Sequence, residues 1–435
     1  MPTSARSEAI WDPVETGARE RLRGLQLERL RSTVTRTLDH QPPFASRLAE
    51  AGVADAREIS SLDELARLPF SRKSDLRDNY PFGLLAVPRE DLIRVHASSG
   101  SHGKPTIVGY TRADLDAWTE VMARCMTMAG VRPGMVIHNA NGYGLFTGGH
   151  GFHYGGERIG ATVIPVSGGF TARQAMLLRD LGGQVLCATP SYALVIAAAL
   201  REAGIGLDDL RLELALLGGE PFTDGMRTEI ERSLGLTVIM FYGLSEMCGP
   251  GVAAECHARA GLHVQEDHFL VEVVDPDTGD ALGEGEEGEL VFTTLTKEAL
   301  PLIRYRTGDV GSLTTEACEC GRPFARVREL RGRLDDMLIV RGVNLFPSNV
   351  EHLLLAIEEV APHYRLIVER PEHLDQLTVE CEPVSDSVDR EALATRIARR
   401  LREHTGLRIG VSVLDPGAIP RSEGKAVRVV DRRPN

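Results

Sequence analysis

The stretch ASSGSHGKPT, residues 97–106, places three serine hydroxyls, two glycines, a histidine and a lysine within ten positions. Glycine lets a backbone approach a ligand closely, hydroxyls and amides donate to phosphate oxygens, and Lys104 adds charge. The stretch is therefore a candidate phosphate clamp. It is not a Walker loop, because Gly100 stands only three residues before Gly103 and Lys104 is followed by Pro105 instead of a helix-opening serine or threonine. Pro105 biases Lys104 toward extended backbone, and the TIVGYT that follows is β-branched, so the loop is expected to join two extended segments.

Two carboxylates fit the same chemistry. Glu246, in MFYGLSEMCGPG, follows an apolar strand in a turn where it could hold Mg²⁺ beside a triphosphate. Asp309, in LIRYRTGDV, is an acceptor suited to the two hydroxyls of a ribose, and Gly332 with Arg333 lies just before a boundary. Taken singly, each also fits a solvated turn or a surface ion pair.

These residues need a scaffold. Leucine-rich helical periodicity fills ARERLRGLQLERLRSTVTRTLDH and returns near SLDELARL. From 106 to about 240, helical stretches such as DLDAWTEVMARCMTMAG and TARQAMLLRDLG alternate with the apolar runs MVIHNA, ATVIPV, QVLCATP, LELALLGG and LTVIMFYG. That alternation predicts βαβ units and a mainly parallel sheet. HFLVEVVDPDTGDAL and GELVFTTL predict paired strands around an Asp-Pro-Asp-Thr-Gly turn, hence an antiparallel region over about 262–340. RLIVE, LTVECEP, the helix DREALATRIARRLREHTG and IGVSVL form a small α+β unit. The expected fold class is α/β: a large N-terminal domain over 1–331, a hinge over 332–336 and a small mobile C-terminal domain over 337–435.

In this order and spacing, FSRKSDLRDNYPFG, HASSGSHGKPTIVGYT, NGYGLFTGG, ATPSY, GGEPFT, YGLSEMCGPG, EDHF, GELVFTTLTKEALPLIRYRTGD, RGRLDDMLIVRGVNLFPSNVE and PRSEGKAVRV resemble the phenylacetate-CoA ligase family of AMP-forming, adenylate-forming enzymes over nearly the whole chain. The resemblance implies that Ser98, Ser99, Gly100, Ser101, His102, Gly103 and Lys104 bind ATP phosphates, with Lys73 directed toward the same region. It implies an adenine-side wall of Gly219, Glu220 and Pro221 with Tyr242 and Gly243, and adds Ser245 to the ATP- and AMP-binding residues. Glu246 would hold Mg²⁺, Asp309 would clamp the ribose with Arg333 nearby, and Lys425 would bridge the substrate carboxylate and the α-phosphate. Asp335 is the implied hinge, and Tyr143, Gly144 and Phe146 the implied wall of a pocket for a flat aromatic acid. The family's loop usually has threonine where this chain has Ser101 and His102; the hydroxyl is kept, and His102 adds a larger side chain.

The expected function is ATP-dependent activation of an aryl acid to an acyl adenylate with release of pyrophosphate, followed by transfer to the CoA thiol with release of AMP. Two alternatives remain open: delivery to the phosphopantetheine arm of an acyl carrier protein, and a non-catalytic nucleotide-binding regulator. Intact Lys104, Glu246, Asp309 and Lys425 count against the regulator.

A second donor set stands apart. EACECGRP carries Cys318 and Cys320, and ECHARAGLH carries Cys256 and His263, which together make a Cys₃His set suited to a closed, structural zinc site, with His257 or His268 as alternatives to His263.

Composition bounds the rest. With 435 residues, 43% of them hydrophobic, the chain can bury a large core. Its net charge of -13 argues against nucleic acid, though not against small phosphorylated ligands. The N-terminal MPTSARSEAIWDPVE has no apolar signal region, apolar runs such as ALVIAAAL are too short to span a bilayer, and seven scattered cysteines do not suggest a disulfide framework. A cytoplasmic location is expected, and the resemblance suggests a homodimer.

Overall fold

The structure is a computed structural model describing residues 10–98, 105–340, 343–371, 375–422 and 424–433. Helices α1 (Arg19–His40), α2 (Pro42–Glu50) and α3 (Lys73–Asp78) come first. The apolar face of α1 buries Leu30 and Val34 against Leu48 of α2 and against Leu270, Leu295 and Ile303 far along the chain. Strands β1 (Arg94–Ser98) and β2 (Thr106–Tyr110) then pair antiparallel, with Ser98 opposite Thr106. The extended segments expected on both sides of the glycine-serine loop are thus present. Residues 99–104 themselves, and with them Ser99, Gly100, Ser101, His102, Gly103 and Lys104, lie outside the described residues.

Strand and helix alternate next: α4 (Arg112–Met128), β3 (Val136–Asn139), α5 (Gly148–Ile159), β4 (Thr162–Ile164), α6 (Thr171–Asp180), β5 (Val185–Ala188), α7 (Pro190–Glu202), β6 (Leu214–Gly218), α8 (Asp224–Leu234) and β7 (Thr237–Leu244). Threonine caps start three of these helices, with Thr111, Thr189 and Thr223 accepting from the amides of Asp114, Tyr192 and Met226. Then come β8 (Gly249–Glu255), β9 (Leu262–Val264), β10 (Phe269–Val274), β11 (Gly288–Thr294), β12 (Tyr305–Thr314) and β13 (Arg326–Arg333).

The parallel and antiparallel regions are one sheet. Its eleven strands run β10-β11-β12-β13-β9-β8-β7-β6-β5-β3-β4. β3 to β7 are mutually parallel, and the hairpin from β7 to β8 reverses direction and begins the antiparallel half. Helices α4 and α5 cover one region at unusually short range: a Cβ on Gly155 would stand 2.7 Å from Met122 Cβ, and one on Gly151 2.6 Å from Pro250 Cγ. That close approach holds a glycine-rich segment as a helix despite its poor intrinsic propensity.

β13 ends at Arg333, and a separate core begins at Leu338. It is built from β14 (Leu338–Val340), β15 (Val343–Leu345), α9 (Pro347–Leu355), β16 (Val360–Glu369), β17 (Gln376–Pro383), α10 (Arg390–Thr405), β18 (Gly410–Val413) and β19 (Val429–Asp431). Four of these strands form a sheet in the order β18-β17-β16-β19. The fold is therefore a large α/β domain with a mixed sheet and a small C-terminal domain. Among the described residues no helix is long and apolar enough to cross a membrane.

Candidate active site

In an open α/β sheet, ligands bind outside the carboxyl ends of the parallel strands. The chain places its candidate residues there. Gly219 and Glu220 directly follow β6, and Ser245 and Glu246 directly follow β7. Glu246 is buried, and its Oε1 accepts the Ser98 hydroxyl at 3.2 Å, which ties the end of the β1–β2 pair to the turn after β7. Gly243 lies where this turn closes; a Cβ there would fall 1.9 Å from the Gly249 carbonyl oxygen.

Two residues that sequence reasoning missed hold this turn. Tyr110 Oη reaches the carbonyl oxygens of Ser245 and Cys248, both at 3.1 Å. Lys297 Nζ donates to the Met247 carbonyl at 2.8 Å and stands 4.1 Å from the centre of the Tyr110 ring. Burial pulls the Lys297 ammonium down to about 8, with Asp114, Cys248 and Glu246 opposing the shift. A lone lysine in TTLTKEALP carries no sequence signal of this role.

Asp309 and Arg333 face each other across β12 and β13. Arg333 Nη1 is 3.6 Å from Asp309 Oδ1, Tyr242 Oη donates to Asp309 Oδ2 at 2.6 Å, and Arg333 Nη2 donates to Asp335 at 3.3 Å. Burial raises the Asp309 carboxyl, while Arg333 first and then Tyr242 favour its charged form. Asp335 is exposed in the short turn that leaves β13.

The C-terminal lysine sits on the other rim. Lys425 Cε lies 3.7 Å from where a Gly219 Cβ would be. Its loop is pinned on both sides: Thr189 Oγ1 donates to the Gly424 carbonyl at 3.0 Å, and the Ala426 amide donates to Glu220 Oε2 at 2.8 Å. The other oxygen of Glu220 accepts the Ser191 amide in the first turn of α7 at 2.6 Å. Pro221 is exposed beside it.

The aromatic loop hangs from β1. The Leu145 carbonyl accepts from the Ala97 amide at 2.9 Å and lies 3.1 Å from His96 Nδ1. Tyr143 Oη accepts from Asn139 Nδ2 at 2.8 Å and lies 3.1 Å from His153 Nδ1, with the His150 ring 5.3 Å away. Gly144 borders open space, and Phe146 is 55% exposed, so it is not a core residue. Burial pushes the His96 imidazole down to about 4 and keeps it neutral beneath this loop. Lys73 is more remote. It opens α3 two residues after Ser71, which bridges to Tyr305 at the start of β12.

The Cys₃His set also assembles. Cys256 follows β8, His263 lies in β9, and Cys318 and Cys320 lie between β12 and β13. All four are buried, with donor atoms within 4.8 Å of one another. Cys256 Sγ to Cys318 Sγ is 3.7 Å, and Cys320 Sγ to His263 Nε2 is 3.4 Å. A tetrahedral zinc ion with Zn–S of about 2.3 Å requires S–S edges of about 3.8 Å and slightly shorter S–N edges, so the residues fit. His268 is committed elsewhere, with Nδ1 2.8 Å from Thr296 Oγ1 and Nε2 3.2 Å from Asp267. It is not the alternative ligand.

Residues 11–295 match the AMP-binding enzyme family and residues 342–433 the AMP-binding enzyme C-terminal domain. The phenylacetate-coenzyme A ligase of Thermus thermophilus is 51% identical over 440 residues, covering 97% of this chain and 98% of the relative. That of Escherichia coli is 47% identical over 431 residues, covering 97% of each. Among solved structures, 2-hydroxyisobutyryl-CoA ligase in the postadenylation state in complex with 2-HIB-AMP superposes with a TM-score of 0.91 at 29% identity, covering 99% of this chain and 93% of that one. The same ligase with 2-HIB-AMP and CoA in the thioesterification state gives 0.72 at 30% identity, covering 100% and 94%. With both of its domains matched and full-length relatives at about half identity, the chain belongs to the phenylacetate-CoA ligase family of AMP-binding enzymes.

Proposed function

We propose that this AMP-forming acid-thiol ligase activates phenylacetate. A carboxylate oxygen of the acid attacks the α-phosphorus of ATP and displaces pyrophosphate. The CoA thiol then attacks the acyl carbon of the adenylate, and AMP leaves with the former carboxylate oxygen. The observation that carries this reading is the seating of the Lys425 loop on Thr189, Gly219 and Glu220.

The first step brings two anions together, so cations and donors must neutralise the charge that builds at the phosphate. Lys425 bridges the acid and the α-phosphate, and the residues from Ser98 to Lys104 bind the outer phosphates, with Lys73 adding charge. Mg²⁺ supplies positive charge at the phosphates, and the buried Glu246 carboxylate is the donor type it takes. Asp309 accepts from the ribose hydroxyls, Arg333 and Tyr242 hold it charged, and Gly219, Glu220, Pro221, Gly243 and Ser245 line the nucleotide. Tyr143, Gly144 and Phe146 border the aryl group.

The small domain, as it stands, is seated for adenylation, which accords with the closer superposition on the postadenylation state. Rotation about Asp335, within a hinge over 332–336, would withdraw Lys425 and admit the thiol. Cys256, His263, Cys318 and Cys320 would hold a structural zinc ion, and so fasten the β8–β9 turn to the loop before β13.

The test is product analysis with phenylacetate, ATP and CoA, alongside a panel of other aryl acids and a phosphopantetheine-loaded carrier protein. Phenylacetyl-CoA, AMP and pyrophosphate in equal amounts are expected. Formation of ADP, or acylation of the carrier alone, would overturn the assignment.

A further inference from the structure

Helix α8 of the large domain has a half-finished cap. Thr223 is its N-cap and accepts the Met226 amide at 3.3 Å. In a full capping box, a Glu or Gln at the third helical position would reach back to the N-cap amide; here that position is Met226, which has no acceptor to offer. The missing carboxylate comes from the small domain. Glu351 of α9, 3% exposed, accepts the Thr223 amide at 3.1 Å and the Thr223 hydroxyl at 2.9 Å through Oε1. A carboxylate at this end also faces the positive pole of the α8 dipole.

Two further contacts make this a seat. A Cβ on Gly225, in the first turn of α8, would stand 2.9 Å from Leu355 Cβ at the end of α9, and Leu355 packs against the core of the large domain. Behind the cap, Glu351 Oε2 is 3.5 Å from Arg428 Nη2, and Arg428 lies 4.4 Å over the Tyr364 ring. Arg428 is three residues beyond Lys425 on the same segment.

We propose that Glu351 is a positioning residue for the adenylation step: it completes the cap of α8 from the other domain and, through Arg428, fixes the segment that presents Lys425. The inference rests on the two-step reading above. When the small domain turns for thioester formation, Glu351 leaves Thr223, and Arg428 and Lys425 are carried away with it. The seat therefore acts on one half-reaction and not on the other.

The experiment measures phenylacetate-dependent exchange of labelled pyrophosphate into ATP, and separately thioester formation from supplied phenylacetyl adenylate and CoA. Glu351→Ala should slow exchange about tenfold, the scale of a lost cap and dipole contact, mainly in kcat. It should leave thioester formation within about twofold, and Glu351→Gln, which keeps an acceptor for Thr223, should recover part of the loss. Gly225→Ala is the independent variant. Alanine favours the helix over glycine, so a folding defect is not expected, yet its methyl obstructs Leu355; exchange should fall while thermal stability holds or rises. Equal losses in both half-reactions, or no loss of exchange in either variant, would overturn the proposal. A wild-type protein inactive in both assays would instead overturn the two-step reading beneath it.

Discussion

The Tyr242 hydroxyl donates to Asp309 Oδ2 at 2.6 Å, joining the last parallel strand of the sheet to its antiparallel half at the point where the ribose is proposed to bind. Burial favours the neutral carboxyl of Asp309, and this hydrogen bond, together with Arg333, favours the charged one. Removing the donor must therefore raise the Asp309 pKa further. In Tyr242→Phe, the acidic limb of kcat/KM for ATP should move to higher pH, with KM for ATP rising a few-fold. An unchanged limb would separate Tyr242 from the ionisation of Asp309.

Lys425→Ala removes the cation placed next to Gly219. Pyrophosphate exchange should fall by roughly 10²–10³-fold, the usual cost of deleting one group that stabilises developing charge. Thioester formation from supplied adenylate should persist. Equal loss in both assays would contradict a role confined to the first step.

The Cys₃His cluster gives a stability prediction. Elemental analysis should find about one zinc per chain, and Cys256→Ser should lower Tm and zinc content while sparing KM for ATP in the protein that remains folded. Metal-free protein with an unchanged Tm would refute the assignment.

Lys297 gives a pH prediction. Its native pKa of about 8 lies below the ordinary 10.5, so between those values the unfolded chain binds more protons and stability rises with pH. Below about pH 8 the cost of burying the ammonium is fully present. The stability of wild type relative to Lys297→Met should therefore climb by up to about 3 kcal/mol from pH 8 to 10.5. A flat difference in chemical denaturation would contradict a buried ammonium in this place. Loss of the Met247 contact should also raise KM for MgATP, because the turn that carries Glu246 loses a tether.

The sequence carried the local secondary structure well. TIVGYT read as a strand because its β-branched residues favour one, and the alternating apolar runs read as parallel strands because both faces are covered. The continuity of the sheet was less legible. β8 contains Gly-Pro-Gly and β9 is only three residues long, so neither carries a strand pattern, and both depend on neighbours already in place. Helix α5 was hidden for a related reason: GGHGFHYGG has poor helix propensity, and its glycines are used for contact with Trp118, Met122 and Pro250. Lys297 and Glu351 act on carbonyls and amides distant in sequence, a role that residue type and spacing do not encode.

The path of one oxygen atom tests the central claim most directly. Phenylacetate labelled with oxygen-18 at both carboxylate positions is incubated with the enzyme, ATP, Mg²⁺ and CoA, and the products are weighed by mass spectrometry. Attack of the carboxylate on the α-phosphorus places one labelled oxygen in AMP and leaves the other in the thioester carbonyl. Unlabelled AMP, or label in pyrophosphate or phosphate, would contradict the account.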